Sequence, residues 1–152
     1  MPTHAEKRTI PYSCEQLFAL VADVSKYPEF LPWCVGSRIT RRVENTVYAD
    51  LIIGFKVFRE RFSSRVTLHH PNRIDVAYLK GPLKYLNNHW LFIDNGDGSC
   101  TIDFYVDFEF HSHLFQKLVG PLFNEAVRRM VAAFDARAHE LYGPPGVISP
   151  GE

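Results

Sequence analysis

No apolar run in the chain exceeds six residues, Leu17–Ala22 being one of that length. A membrane-spanning helix needs roughly 20, so none is expected. An excess of one charge is also missing, because Lys+Arg and Asp+Glu both number 17. Without a global positive charge there is little counterion release to drive binding to DNA, and DNA is not expected as a partner. Cysteine is scarce. Cys14, Cys34 and Cys100 form neither a CxxC pair nor a Cys/His metal spacing, which excludes a disulfide scaffold and a closed zinc site. The three are expected to be buried, reduced thiols. His111 and His113 fall where a strand should turn into a helix, and no nearby Cys or Asp completes a closed site, so no metal is expected. GxSxG, P-loop, HExxH and GxGxxG signatures are all absent, so no catalytic residue and no catalytic cofactor is assigned. Met1–Lys7 is polar and has no apolar core, unlike a secretory leader. The expectation is a cytoplasmic protein whose membrane contact, at the inner membrane of a bacterium, is peripheral.

What the chain has in quantity is aromatic side chains, 14% of its 152 residues, with twelve Phe. Its length suits one domain, drawn here over residues 1–142. The tail 143–152 holds three Pro and three Gly and is expected to be disordered. Ser13 and Gln16 form a capping box that opens a helix, and Leu17, Leu20, Val21 and Val24 form its apolar face. Pro28 and Pro32 limit Lys26–Trp33 to a short helical turn or a loop.

From Arg38 to His111 the pattern is that of strands. Turn signals stand at Glu44-Asn45, Pro71-Asn72, Gly81-Pro82 and Asn95–Gly98, which divides the stretch into five strands. Thr3–Ile10 is a sixth. From Ser112 to Tyr142 the period becomes helical. Leu114, Leu118, Leu122, Ala126, Met130, Ala133 and Leu141 mark one face, with Phe115, Val119, Phe123, Val127 and Phe134 beside it. Gly120-Pro121 should kink or divide this helix, and Gly143 with Pro144 should end it. A one-sided antiparallel sheet must bury its apolar face on something, and the long helix is the candidate of sufficient size. The fold class is α+β, a curved antiparallel sheet around one helix.

Charge is unevenly spread. Residues 1–73 carry eleven Lys/Arg against seven Asp/Glu, and residues 74–152 carry six against ten. Arg38, Arg41, Arg42, Arg59, Arg61 and Arg65 form either an ordinary solvated sheet surface or a basic strip for anionic lipid or ribosomal RNA. Glu60 should face inward with Phe58 and Phe62. An inward carboxylate must be paired or reach water, so it meets a ligand headgroup, forms a salt bridge, or is turned outward by a bulge. Asn88, beside Trp90, raises the same question without the charge.

The segment Tyr27-Pro28-Glu29-Phe30-Leu31-Pro32-Trp33-Cys34, with Leu20–Val24 before it, resembles the signature of the coenzyme Q-binding family of START-like proteins, within the polyketide cyclase and lipid-transport superfamily. The resemblance continues at Gly81–Trp90, Asp103–Phe110 and Arg129–Phe134, and covers roughly residues 3–142. That family is similar in turn to the bacterial ribosome-association toxin A proteins, which share the Tyr-Pro-x-Phe-Leu-Pro segment and the long final helix. Trp33 and Asn88-His89-Trp90 look closer to the coenzyme Q branch.

The resemblance implies a helix-grip fold of six to seven strands, with a hydrophobic tunnel between helix and sheet. It also implies non-catalytic binding and delivery of ubiquinone, or of a late polyprenyl-quinone intermediate, with membrane or quinone-biosynthesis proteins as contacts. The alternative is a ribosome-associating module, and a cyclase or hydrolase on the same fold is a third reading. Inward alternation nominates Phe58, Phe62, Trp90, Phe92, Phe104 and Phe108 as tunnel lining. The final helix adds Val119, Phe123, Val127 and Met130. Glu60 and Asn88 are its polar candidates. Phe30, Leu31, Pro32 and Trp33, stiffened by two prolines, are expected to form a lid or docking edge at the mouth.

Overall fold

A computed structural model describes residues 3–55 and 58–143, without the side chains of Phe55, Phe58, Phe115, Val119 and Asn124. The Pro/Gly-rich tail beyond Gly143 lies outside the described residues. Seven strands form a single antiparallel sheet: β1 (Thr3–Ile10), β2 (Cys34–Val43), β3 (Thr46–Phe55), β4 (Phe58–His69), β5 (Arg73–Lys80), β6 (Leu83–Asp94) and β7 (Cys100–Phe110). Strands β2 to β7 follow one another as hairpins, and β1 pairs with β7 at the edge, giving the order β1-β7-β6-β5-β4-β3-β2.

The strand count corrects the sequence expectation. Six strands, not five, lie between residues 34 and 110, because β3 and β4 are separate and pair in unbroken register from Thr46/Thr67 to Phe55/Phe58. Their connection carries Lys56-Val57, which has no turn-forming residue pair. The other turns fall where they are signalled. At Gly81, φ is +152°, and a Cβ there would stand 2.8 Å from the Tyr78 hydroxyl. That hydroxyl accepts from the Leu83 amide at 2.9 Å, so the turn requires glycine.

Helix α1 (Cys14–Ala22) starts on the expected box, with the Ser13 hydroxyl accepting from the Gln16 amide and Gln16 Oε1 accepting from the Ser13 amide, each at 3.1 Å. A 3₁₀ segment, Val24–Glu29, follows. The C-terminal helix is divided at Gly120-Pro121 as expected, into α2 (His113–Val119), a 3₁₀ turn (Gly120–Leu122) and α3 (Phe123–Tyr142). Gly and Pro together interrupt the amide-to-carbonyl ladder at that point.

α1 and α3 lie against the inner face of the sheet. The core stripe of α3 is Phe123, Val127, Phe134 and Ala138, all buried. Leu114, Leu118, Leu122 and Leu141, expected on the buried face, are exposed instead. The two candidate stripes lie side by side on the helical wheel, and contact with the sheet selects the Phe123 stripe. Arg8 of β1 clamps α3 through a bidentate pair to Asp135, at 2.5 and 2.8 Å. The C-terminal end of α3 is tied back by the Tyr142 hydroxyl, which donates to the Gln16 carbonyl at 2.9 Å.

Candidate functional site

In antiparallel strands alternate side chains share a face. Ala49, Leu51, Ile53, Phe62, Ser64 and Val66 therefore line the inside of β3 and β4, while Asp50, Arg61 and Arg65 face out. The inner face does not meet α3 along its whole length. Between them is a partly open chamber of about 380 Å³. Its walls come from the sheet, from α3 (Phe123, Ala126, Val127, Met130, Phe134), and from the α1–β2 segment (Val21, Val24, Tyr27, Leu31–Cys34).

Of the nominated residues, Leu31, Pro32, Trp33, Phe62, Asn88, Trp90, Phe104, Phe108, Phe123, Val127 and Met130 come together in this lining. Trp90 anchors it, with ring centroids 4.6 Å from Phe104 and 5.3 Å from Phe134. Phe108 and Phe123 meet at 5.1 Å across the sheet–helix gap. Trp33 adopts φ +66°, a left-handed conformation uncommon for a bulky residue. Its carbonyl accepts from the Gly54 amide at 2.8 Å, which pins the segment to β3.

Three nominated residues stand elsewhere. Phe92 is 1% exposed and packs against Phe18 at 5.6 Å. It shares the inward face with Trp90 but lies two residues further along β6, where α1 covers the sheet, so it is core and does not line the chamber. Phe30 turns to α3, 5.3 Å from Phe134, with the Arg137 guanidinium 5.1 Å over its ring. Glu60 lies opposite Ile53 in unbroken register, so no bulge turns it outward. It sits on the inner face at the sheet end but outside the chamber lining, and no hydrogen bond or ion pair holds it among the described residues. The side chains of Phe58 and Val119 lie outside the described residues.

The sequence reading missed the whole contribution of β3, because β3 was fused with β4. Its alternation Val47, Ala49, Leu51, Ile53 was available as a signal. It also missed Ser64 and Tyr27. The Tyr27 hydroxyl donates to the Val21 carbonyl, and burial raises its pKa well above the usual phenol value. The Cys34 thiol donates to the Gly36 carbonyl at 3.6 Å, and burial raises its pKa too. Both groups stay neutral at ordinary pH, and their hydrogens are engaged by backbone. Asn88 Nδ2 spends one hydrogen on the Tyr105 carbonyl at 2.9 Å, which leaves a second N–H and the Oδ1. The Ser64 hydroxyl has no protein partner among the described residues. Unlike Tyr27 and Cys34, these two side chains have hydrogen-bonding groups left uncommitted among the described residues. No group of three or more His, Cys, Asp or Glu able to hold a metal ion occurs among the described residues.

The segment just before Phe30–Trp33 is tethered to α3. Arg137 reaches Glu29 at 2.7 Å and Glu140 at 2.8 Å. The first contact holds the Glu29 carboxyl below its ordinary pKa.

A seven-stranded antiparallel sheet gripping a C-terminal helix around an apolar chamber is the START-like, helix-grip architecture. The chain belongs to the polyketide cyclase / dehydrase and lipid transport family, which matches residues 10–135. It is 36% identical over 144 residues to the ribosome association toxin RatA of Pseudomonas aeruginosa, covering 94% of this chain and all of that one. It is 33% identical over 144 residues to the mitochondrial coenzyme Q-binding protein COQ10 homolog B of Xenopus laevis, covering 92% of this chain and 59% of that one. Among solved structures, the 18 kDa protein CC1736 from Caulobacter crescentus is 38% identical, with a TM-score of 0.76 over 95% of this chain and all of that one. No helix among the described residues is long and apolar enough to cross a membrane.

Proposed function

We propose that the chamber binds the ring and first isoprene units of a polyprenyl quinone, ubiquinone or a late biosynthetic intermediate, and that the protein carries this ligand without transforming it. The observation that supports this most is the chamber itself, apolar nearly throughout and with two neutral side chains, Ser64 and Asn88, that keep hydrogen-bonding groups uncommitted among the described residues. A quinone ring offers hydrogen-bond acceptors and no donor. The Ser64 hydroxyl and the second N–H of Asn88 supply donors to match it. The non-catalytic reading is supported by the state of the ionisable groups in the wall, since Tyr27 and Cys34 are neutral and committed to backbone carbonyls. The relative named as a coenzyme Q-binding protein supports the choice of ligand.

Each CH₂-sized group buried is worth roughly 0.8 kcal/mol, so one five-carbon unit contributes a few kcal/mol before ordering costs. The chamber, at about 380 Å³, is near the small end of the roughly 300–1,000 Å³ typical of ligand pockets. It takes the ring and only the first part of the tail.

The test is to purify the protein from a quinone-producing host, extract it with organic solvent, and identify the lipids by mass spectrometry. A near-stoichiometric quinone is expected. An empty extract, repeated after loading from quinone-containing vesicles, overturns the reading.

A second reading, ribosome association, is favoured by the relatives named RatA and by one surface. Arg38, Arg41, Arg61 and Arg65 are all exposed on β2 and β4, with Arg41 stacked 5.5 Å over Tyr48. Co-sedimentation with ribosomes that falls steeply with salt would support it.

A further inference from the structure

α2 and the 3₁₀ turn after it leave an apolar stripe facing solvent. Leu114 is 65% exposed and Leu118, one turn on, 59% exposed, and Leu122 follows at 47%. Three exposed leucines in succession are unusual for a monomer surface. Their place in the fold makes the stripe informative. In this antiparallel sheet, one end gathers the start of β2, the β3–β4 and β5–β6 connections and the end of β7. The Leu31–Trp33 segment leads into β2 at that end and α2 leaves β7 there. Phe110 and Phe123 bracket the stripe in the chain, and both line the chamber. Val35 and Leu79, each 49% exposed, belong to the same end.

The charge at this end is positive on balance, although Glu60 at the start of β4 also lies there without an ion pair among the described residues. Arg59, Lys80 and Lys117 are exposed and unpaired among the described residues. Of the carboxylates nearby, Glu109 is held by Lys84 at 2.9 Å, and Glu125 by Arg128 and Arg129 at 2.5 and 3.3 Å. The net charge of the whole chain is zero, so the local excess comes from placement.

We propose that the Leu114–Leu118–Leu122 stripe, with the cations around it, docks this end of the molecule onto an anionic phospholipid bilayer and sets the chamber against the lipid. Leucines of an amphipathic segment enter the acyl boundary, while Lys and Arg stay at the level of the negative headgroups. The complementarity of charge selects a bilayer over a second copy of this chain, whose same face would carry the same positive charge. The proposal does not depend on which apolar ligand the chamber holds.

The experiment is flotation of the full chain with vesicles of phosphatidylcholine alone and with added phosphatidylglycerol. Binding is expected to the anionic vesicles, weakening with salt. Leu114→Glu and Leu118→Glu should each weaken it about tenfold or more, and Lys117→Glu should remove the preference for anionic lipid. Leu141→Glu, at the opposite end of the molecule and 49% exposed, should leave binding unchanged. Circular dichroism confirms that each variant is folded. Quenching of tryptophan by a short-tailed quinone in vesicle-free buffer should be unchanged by Leu118→Glu, so that loss of docking and loss of ligand binding are read separately. Wild-type protein that ignores anionic vesicles, or Leu118→Glu that floats as well as wild type, overturns the proposal. So does a dimer by light scattering that Leu118→Glu dissociates, since a second copy then covers the stripe.

Discussion

Asn88 and Ser64 illustrate how much rests on single side chains when the rest of a wall is apolar. A hydrogen bond to a neutral group is worth about 1 kcal/mol net, roughly fivefold in affinity. Asn88→Leu and Ser64→Val should each weaken quinone binding by about that factor while leaving the binding of a hydrocarbon of similar shape unchanged, as read by tryptophan quenching. Leu31 contributes by a different route. It lies in the chamber lining, on the segment we propose as a lid, so Leu31→Ser should lose quinone binding with the melting temperature little changed. A variant that binds normally, or one that unfolds, would remove the lid assignment. Phe92 marks the limit of reading residues one by one. Alternation put it on the same face as Trp90, and that much is right. How deep it lies depends on α1 crossing above it. Phe92→Ala should therefore cost about 3–5 kcal/mol of stability, the usual range for a buried Phe, measured by urea denaturation.

At the scale of elements, caps and breakers were legible because they act within one turn of chain. Ser13 with Gln16 started α1, and Gly120-Pro121 divided the last helix. Ser13→Ala should cost about 1 kcal/mol, also by denaturation. The β3–β4 connection was not legible, because no Gly, Pro, Asn or Asp stands at residues 55–58 to mark the reversal. The Arg137–Glu29 contact belongs to this scale as well. Glu29 has a depressed pKa because Arg137 holds its charged form. The tether is therefore complete above the ordinary carboxylate pKa of about 4.3, and is lost as pH falls through the lower folded-state value. Quinone should be released more readily on acidification into that range. Glu29→Gln should show the faster release already at neutral pH, in stopped-flow measurements of ligand loss.

For the whole molecule, the volume of the chamber sets a rule for its ligand. Affinity should rise over the first few isoprene units and then level off, because later units lie outside the wall. Titration with quinones of increasing tail length reads this directly, and a steady rise to the longest tail would mean that the surface, not the chamber, carries the tail. The exposed leucines of α2 belong to the same scale. They read as core in one dimension, and become surface only because α3 presents a neighbouring stripe to the sheet.

Local pattern was enough for the class of fold, for the positions of both helical regions, and for most of the inward faces. These depend on side-chain period, capping and turn chemistry, which reach only a few residues along the chain. Tertiary contact decided the rest: that Phe92 fills the core while Trp90 lines a space, that Phe30 packs on Phe134 beneath the Arg137 guanidinium, that Ser64 meets the chamber, and that Leu114 and Leu118 face solvent. Each of those outcomes depends on what a distant segment brings across the gap. The period of a strand or helix says which face a residue shares, but not what stands opposite.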